Sequence, residues 1–280
     1  MNYRHAFHAG NFADVVKHVL LTLALVHLRK KEAPFRVIDT HAGTGRTNLE
    51  SADAIRGGEW KGGIGRIFDR DIGAAAEELI APYREALRTF NPDGQIKIYP
   101  GSPLLIIHFL RAHDRLIACE LENGAAQALA RNLRGDPRAK AIAIDGWTAL
   151  TAYIPPKERR GLVLIDPPFE AQDELSRLGD AIAAAHLKWR SGMLLAWYPI
   201  KDEREVAGFI RALSKHQIEN SLRLELVRND GPEKGLRGTG MIAVHPPFTL
   251  QADAKILLPA LAKAFWPDQR ATVRVDNLAA

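Results

Sequence analysis

Asp166, Pro167, Pro168 and Phe169 place a carboxylate, a stiff turn with a free carbonyl and a flat ring within four consecutive residues. That set suits one chemistry, reaction at an exocyclic amine on a planar base. The lone pair of such an amine is delocalised into its ring, so the nitrogen is a poor nucleophile. The Asp166 carboxylate and the Pro167 carbonyl can accept its two hydrogens, which localises the lone pair and aims it. Phe169 can stack on the base and hold it flat, worth about 1–3 kcal/mol. As a bare string the same four residues also describe a strand running into a proline turn with a helix-capping aspartate. The rest of the chain has to separate the two readings.

Gly161 to Ile165 is a short run of branched aliphatics opened by glycine and stopped by proline, which reads as a strand buried on both faces. Its two prolines cannot donate to a ladder, and Asp166, preceding one, is pushed away from helix. In open α/β sheets ligands bind at that carboxyl edge. Three further strand ends carry matching groups. Phe35 to Asp39 is followed by Thr40-His41-Ala42-Gly43-Thr44-Gly45-Arg46, a glycine-spaced turn. Its D-x-x-x-G-x-G spacing disfavours a pyrophosphate clamp and looks more like the loop that wraps S-adenosylmethionine; His41 is read either as part of that loop or as a solvated histidine. Arg115 to Cys119 ends in Glu120, the candidate for ribose hydroxyls, with Glu122 as competitor. Ala141 to Ile144 ends in Asp145-Gly146, where the aspartate can cap a helix and meet an adenine amine at once. Four signals in one order favour the catalytic reading of Asp166, and the tetrad resembles the motif of S-adenosylmethionine-dependent amino-methyltransferases that make N6-methyladenine or N4-methylcytosine.

Around these groups, Asn11 is expected to cap a helix to about Lys31, with Val15, Val16, Val19, Leu20, Leu23 and Val26 on its apolar side. The segment before it packs aromatics, imidazoles and an arginine closely, and is expected to fold over the site with Tyr3, His5 and Lys17 meeting substrate. Residues 47–100 read as a mostly helical insertion, with a glycine-rich stretch from Gly57 to Gly65 and a helix from about Ala74 to Thr89. A helix from Ser102 or Pro103, one capped by Asn123 and one from Asp173 to Leu187 follow in turn. Gly192 to Trp197, 221–228 and 241–244 read as later strands. His245-Pro246-Pro247-Phe248 imitates the tetrad, but a histidine cannot accept two amine hydrogens, so it reads as a decoy. The loop bearing Arg228, Lys234 and Arg237 is a candidate RNA-contacting surface.

At 280 residues, 46% hydrophobic and 25% charged, the chain has the make-up of an ordinary globular protein with a sizeable core. No apolar run approaches the roughly 20 residues needed to span a bilayer, and the start carries no signal-type stretch, so the expected location is cytoplasmic. One cysteine, Cys119, excludes an intrachain disulfide. A net charge of +5 fits an anionic partner, nucleic acid first.

With these motifs in place, the chain resembles the RlmJ family of bacterial 23S ribosomal RNA adenine-N6 methyltransferases over nearly its whole length. The resemblance rests on Tyr3 to Asn11 (Y-R-H-x-F-H-A-G-N), Asp14 to His18 (D-x-x-K-H), Asp39 to Arg46 (D-T-H-A-G-x-G-R), Tyr99 to Pro103 (Y-P-G-S-P) and Arg159 to Glu170 (R-R-G-L-x-L-I-D-P-P-[YF]-E). It implies an α/β, Rossmann-like class I S-adenosylmethionine methyltransferase with an inserted helical subdomain, acting as a single-domain monomer on 23S rRNA at the adenine numbered 2030 in the usual bacterial scheme. It further implies that His18, His41, Ser102, Glu120, Asp145, Gly146 and Asp166 contact S-adenosylmethionine, that Tyr3 meets the RNA, and that Asp166 is catalytic. Phe169 stands where tyrosine is common, which keeps stacking and loses a hydroxyl. No metal and no membrane are implied. The rival readings are a catalytically inactive nucleic-acid-binding or DNA-uptake protein on the same fold, and an amino-methyltransferase acting on DNA or a protein amide.

Overall fold

The computed structural model describes residues 7–231 and 235–278. The expectations for Tyr3, His5 and Lys234 therefore lie outside the described residues. Helix α1 (Phe12–Arg29) begins where expected, with the Asn11 side chain accepting from the Asp14 amide at 2.9 Å. Its burial is wider than one stripe: Asp14, Lys17, His18, Leu21, Ala24, Leu25 and Leu28 are buried as well as Val15, Val16, Val19 and Leu20, whereas Leu23 and Val26 are only half-buried. An amphipathic stripe does not describe a helix packed on several sides.

Strand β1 (Arg36–Asp39) leads into β2 (Arg46–Asn48), then helices α2 (Ala52–Gly57), α3 (Ile64–Ile67) and α4 (Ala74–Thr89). Strand β3 (Ile98–Pro100) pairs antiparallel with β2, so a two-stranded ribbon ties together the ends of the helical stretch. The glycines between α2 and α3 admit the chain entering α1. A Cβ on Gly63 would sit 2.1 Å from the Gly10 carbonyl oxygen, which itself accepts from the Ile64 amide at 2.8 Å. His8 and Asn11 both bond Glu59, at 2.9 Å each.

Next come α5 (Ser102–Phe109), β4 (Arg115–Glu120), α6 (Asn123–Asn132), β5 (Ala139–Ala143), α7 (Gly146–Tyr153) and β6 (Gly161–Ile165). Here the cap of α6 is corrected. Glu122, not Asn123, caps it, its carboxylate accepting from Gly124 at 2.9 Å and Ala125 at 2.6 Å. The chain continues through α8 (Glu174–Lys188), β7 (Met193–Ile200), α9 (Glu203–Ser214), β8 (Ser221–Arg228), β9 (Gly238–Val244), α10 (Leu250–Phe265) and β10 (Ala271–Asn277). The last helix and strand have no counterpart in the sequence reading.

Eight strands form one sheet in the order β10-β8-β9-β7-β6-β1-β4-β5. Strands β5, β4, β1, β6 and β7 run parallel; β9 is antiparallel to both β7 and β8, and β10 is antiparallel to β8. All five residues of β6 are buried, Leu162 and Leu164 in the core on one face, Val163 and Ile165 in the core on the other. Complete burial of a leucine contributes about 1.5–3 kcal/mol, so this central strand is costly to move. Because β9 runs the other way, its carboxyl end, with His245, falls on the edge opposite Asp166. The second Pro-Pro-Phe is thus excluded from the site by strand direction as well as by chemistry. Among the described residues no helix is long and apolar enough to cross a membrane.

Candidate active site at the carboxyl edge of the central strands

Register brings the four strand ends together. Asp39 lies beside Leu164 of β6 and Ala118 of β4, and Glu120 beside Ala143 of β5. The turn after β1 is pinned to its neighbours by the Thr40 amide on the Leu164 carbonyl (3.0 Å) and the Ala42 amide on the Cys119 carbonyl (2.8 Å). Glu120 reaches across this turn. Its Oε2 accepts from the Gly43 amide at 2.9 Å and its Oε1 from the Glu122 amide at 2.8 Å. Of the two candidate acids Glu120 therefore borders the glycine turn, whereas Glu122 is an exposed helix cap.

Asp145 caps α7, with Oδ2 accepting from the Thr148 amide at 2.9 Å. Gly146 lies against the turn so closely that an added Cβ would come within 2.4 Å of the Thr40 carbonyl and 2.5 Å of His41 Nε2. The Thr40 hydroxyl donates to the Leu164 carbonyl (2.9 Å), so at its 2.8 Å contact with His41 Nδ1 it acts as acceptor. That fixes the proton on Nδ1 and leaves Nε2 an acceptor. Burial pushes the His41 imidazole down to about 4, Asp145 opposing and Arg177 reinforcing the shift, so the ring is neutral at pH 7.

Asp39 was legible only as part of a motif, and the structure makes it a site residue. It is fully buried, and neither carboxylate oxygen closes a hydrogen bond. Burial pushes its carboxyl up to about 7; the Ser102 hydroxyl and His41 amide face it and favour the charged form without bonding it. Ser102 itself is buried in the first turn of α5.

Asp166 follows β6 directly. Its Oδ2 accepts from Lys17 Nζ at 2.5 Å, and the same ammonium donates to Asp14 Oδ1 at 2.7 Å. Burial disfavours the ammonium, yet the Asp14 and Asp166 carboxylates outweigh it and hold the Lys17 pKa above its ordinary value. Asp166 Oδ1 has no hydrogen-bond partner among the described residues, which leaves one acceptor available. The Lys17 ammonium lies 5.8 Å from the Trp197 ring centroid, and Phe169 meets Trp197 edge-on at 5.5 Å. Phe169 holds its position with φ at +52°, a conformation costly for a bulky residue.

Lys17 is thus buried against Asp166 rather than displayed on the surface. His18 is 1% exposed, bonds the Tyr99 hydroxyl through Nδ1 at 2.8 Å and stacks on that ring, which joins α1 to the insertion. Asp14, quoted in sequence only as the start of D-x-x-K-H, and Trp197, quoted only as a strand end, also border the candidate site. The D-x-x-K spacing, which sets Asp14 and Lys17 one helical turn apart, was the available signal for the first; nothing local marked the second.

Five carboxylates, those of Asp14, Asp39, Glu120, Asp145 and Asp166, belong to this region with one buried ammonium among them. Such a balance suits a cationic ligand and disfavours a pyrophosphate. Among the described residues no group of three or more His, Cys, Asp or Glu is arranged to hold a metal ion.

Comparison with known proteins agrees with the geometry. The family model described as RsmJ: Ribosomal RNA large subunit methyltransferase D, RlmJ, matches residues 32–277. The Ribosomal RNA large subunit methyltransferase J of Haemophilus influenzae is 37% identical over 270 residues, covering 96% of this chain and 95% of its own. The protein of the same name from Escherichia coli is 37% identical over 268 residues, 95% of each chain. A crystal structure of a Legionella pneumophila protein superposes with a TM-score of 0.89 at 32% identity, covering 96% of this chain and 98% of that one. The chain belongs to the RlmJ family of ribosomal RNA large subunit methyltransferases.

Proposed function

We propose that the protein transfers a methyl group from S-adenosylmethionine to N6 of an adenine in 23S ribosomal RNA, the same adenine that the sequence resemblance names. The observation that supports this reading is an unpartnered Asp166 Oδ1 at the sheet edge where Asp39 and Glu120 also end their strands. S-adenosylmethionine fits the residues present: it brings a sulfonium and an ammonium, and the buried Asp39 carboxyl has no hydrogen-bond partner of its own. Glu120 supplies acceptors for ribose hydroxyls, Asp145 and Gly146 border the adenine position, and His18, His41 and Ser102 line the remainder. When bound, the cofactor supplies an activated methyl group.

The chain's own residues do the rest by positioning. The target adenine leaves its stack to enter the site, as chemistry on a base requires. Asp166 Oδ1 and the Pro167 carbonyl accept the amine hydrogens and turn the lone pair toward the donor. Lys17 fixes Oδ2, so the carboxylate cannot rotate away, and Phe169 covers the base face. His41, neutral and acceptor at Nε2, adds no positive charge beside a cationic ligand. Tyr3 and His5, ahead of the docked segment that starts at Phe7, serve the RNA, and the enzyme works as a monomer in the cytoplasm.

The test is incubation with labelled S-adenosylmethionine and, separately, naked 23S rRNA, whole large subunits and DNA, followed by base mapping. N6-methyladenine at one 23S position is expected. Label confined to DNA, or none on any substrate, overturns the reading. Removing residues 1–6 should abolish transfer and spare cofactor affinity; unchanged turnover would leave Tyr3 and His5 without a role.

A further inference from the structure

The carboxyl edge around Asp166 is rich in carboxylates, which repel the phosphates that must accompany the target base. Electrostatics therefore requires cationic ground nearby, and one site along the same sheet edge provides it. A hollow of about 300 Å³ lies between the insertion and the end of α10, lined by Arg66, Arg228, Trp266, Asp268 and Gln269 among others. Arg228 is the last residue of β8, which runs parallel to β6 because both β7 and β8 are antiparallel to β9. Its carboxyl end therefore points the same way as that of β6. Ala271, at the start of β10, pairs with Arg228, so the loop from Trp266 to Arg270 sits on that edge too. Three strand steps separate β8 from β6, which is about 14 Å at ordinary strand spacing.

The chemistry of the lining is specific. The Arg228 guanidinium lies over the Trp266 ring, 5.9 Å from its centroid. Neither Arg228 nor Arg66 forms an ion pair or a side-chain hydrogen bond among the described residues, although Asp268 lines the same hollow. Elsewhere among the described residues Arg84 pairs with Glu77 and Arg223 with Glu225. Two unpaired guanidiniums in a recess match phosphate oxygens, and a guanidinium plane backed by an indole offers a stacking surface for a base. Asp268 and Gln269 bring acceptors, and Gln269 a donor, suited to a base edge. The wall opposite is held by the segment entering α1: the Phe12 ring meets Trp266 edge-on at 5.0 Å, and the Gly10 carbonyl bonds Ile64 two residues before Arg66. The hollow thus adjoins the helix that carries Lys17 to Asp166.

We propose that this recess binds a single-stranded RNA nucleotide flanking the target adenine, with Arg66 and Arg228 on its phosphate and the Arg228–Trp266 pair beside its base. The assignment rests on the methyltransferase reading above and adds where the strand is held once its base has entered the site. It also gives Arg228, noted in sequence only as part of a basic loop, a definite partner class.

The experiment measures methyl transfer to a 23S rRNA transcript by wild type, Arg66→Gln, Arg228→Gln, the double variant and Arg228→Lys, with cofactor affinity as the check on folding. Each glutamine variant should raise the KM for RNA about 10-fold while binding S-adenosylmethionine as wild type does. The slope of log KM against log salt should flatten by about 0.7 per arginine removed. Arg228→Lys should keep the salt slope but recover only part of the KM, because an ammonium lacks the planar fork. If wild type methylates the transcript and the variants match it in KM and salt slope, the recess is not an RNA site. If wild type leaves 23S rRNA unmethylated, the enzyme reading falls and this assignment with it.

Discussion

Replacing Lys17 by Met keeps most of the side-chain stem and removes the ammonium. Two carboxylates then lose their common partner, Asp14 at 2.7 Å and Asp166 at 2.5 Å. Side-chain exposures of 5% for Lys17, 8% for Asp14 and 15% for Asp166 place the trio in the regime where deleting one partner costs about 3–5 kcal/mol. Two features pull the figure to the low end. Asp14 Oδ2 still accepts from the Gly10 amide at 3.0 Å, and Asp166 retains some access to water. A loss of about 3 kcal/mol is therefore expected, read as a lower urea midpoint at pH 7 with unchanged slope. Adding Asp14→Asn to Lys17→Met removes one of the two carboxylate charges that shared the ammonium and should return about 1 kcal/mol or more, a coupling that a double-mutant cycle isolates. Methyl transfer should fall about 100-fold at saturating cofactor, because the Asp166 carboxylate is then free to turn from the amine. A destabilisation below about 1 kcal/mol would refute the reasoning, since it would make the cluster equivalent to a screened surface pair.

Asp39 gives a pH prediction whose sign follows from its raised pKa. Unfolded, it titrates near its ordinary 3.8; folded, at about 7. Between those values the native state holds the extra proton, so the ligand-free protein loses stability as pH rises through the window, by about 4 kcal/mol if the whole shift is realised. Asp39→Asn should remove that slope in urea titrations from pH 4 to 7.5, and an identical profile in variant and wild type would contradict the assignment. S-adenosylmethionine should bind wild type more tightly as pH rises through 7, a trend calorimetry can follow and the variant should lack. Gly146→Ala drives a methyl into the Thr40 carbonyl and the His41 ring, and overpacking of this kind costs about 1–3 kcal/mol. Calorimetry should show cofactor affinity reduced at least tenfold, and undiminished binding would remove Gly146 from the site.

Much of this arrangement was legible in sequence because the central strands are buried on both faces. A run such as Leu162 to Ile165 has no other comfortable environment, and the residue that ends it emerges at a predictable edge. The same logic located Glu120 after β4, whereas Asp145 follows the edge strand β5, none of whose residues is fully buried, and was legible from its place just before Gly146 and a helix. What stayed hidden depended on partners distant in sequence. Lys17 reads as a cation in an early helical turn, and only the approach of β6 makes it the partner of Asp166. The glycines from Gly57 to Gly65 read only as a glycine-rich stretch of the insertion, whereas Gly63 is small so that the Gly10 carbonyl can pass. Helix α10 was masked by Pro246, Pro247 and the interior Pro259, breakers that a helix docked on the sheet by Leu257, Leu258 and Leu261 tolerates. The ribbon of β2 with β3 joins three-residue strands some fifty positions apart, too short for any period to show.

The central claim is that Asp166 orients an adenine amine, and Asp166→Asn tests it most directly. Asparagine keeps the shape while replacing one acceptor oxygen by a donor amide. Under single-turnover conditions with labelled S-adenosylmethionine and 23S rRNA, the variant should bind cofactor and RNA yet transfer methyl at least about 100-fold more slowly than wild type. Transfer to N6 of the same adenine at the wild-type rate would contradict the account.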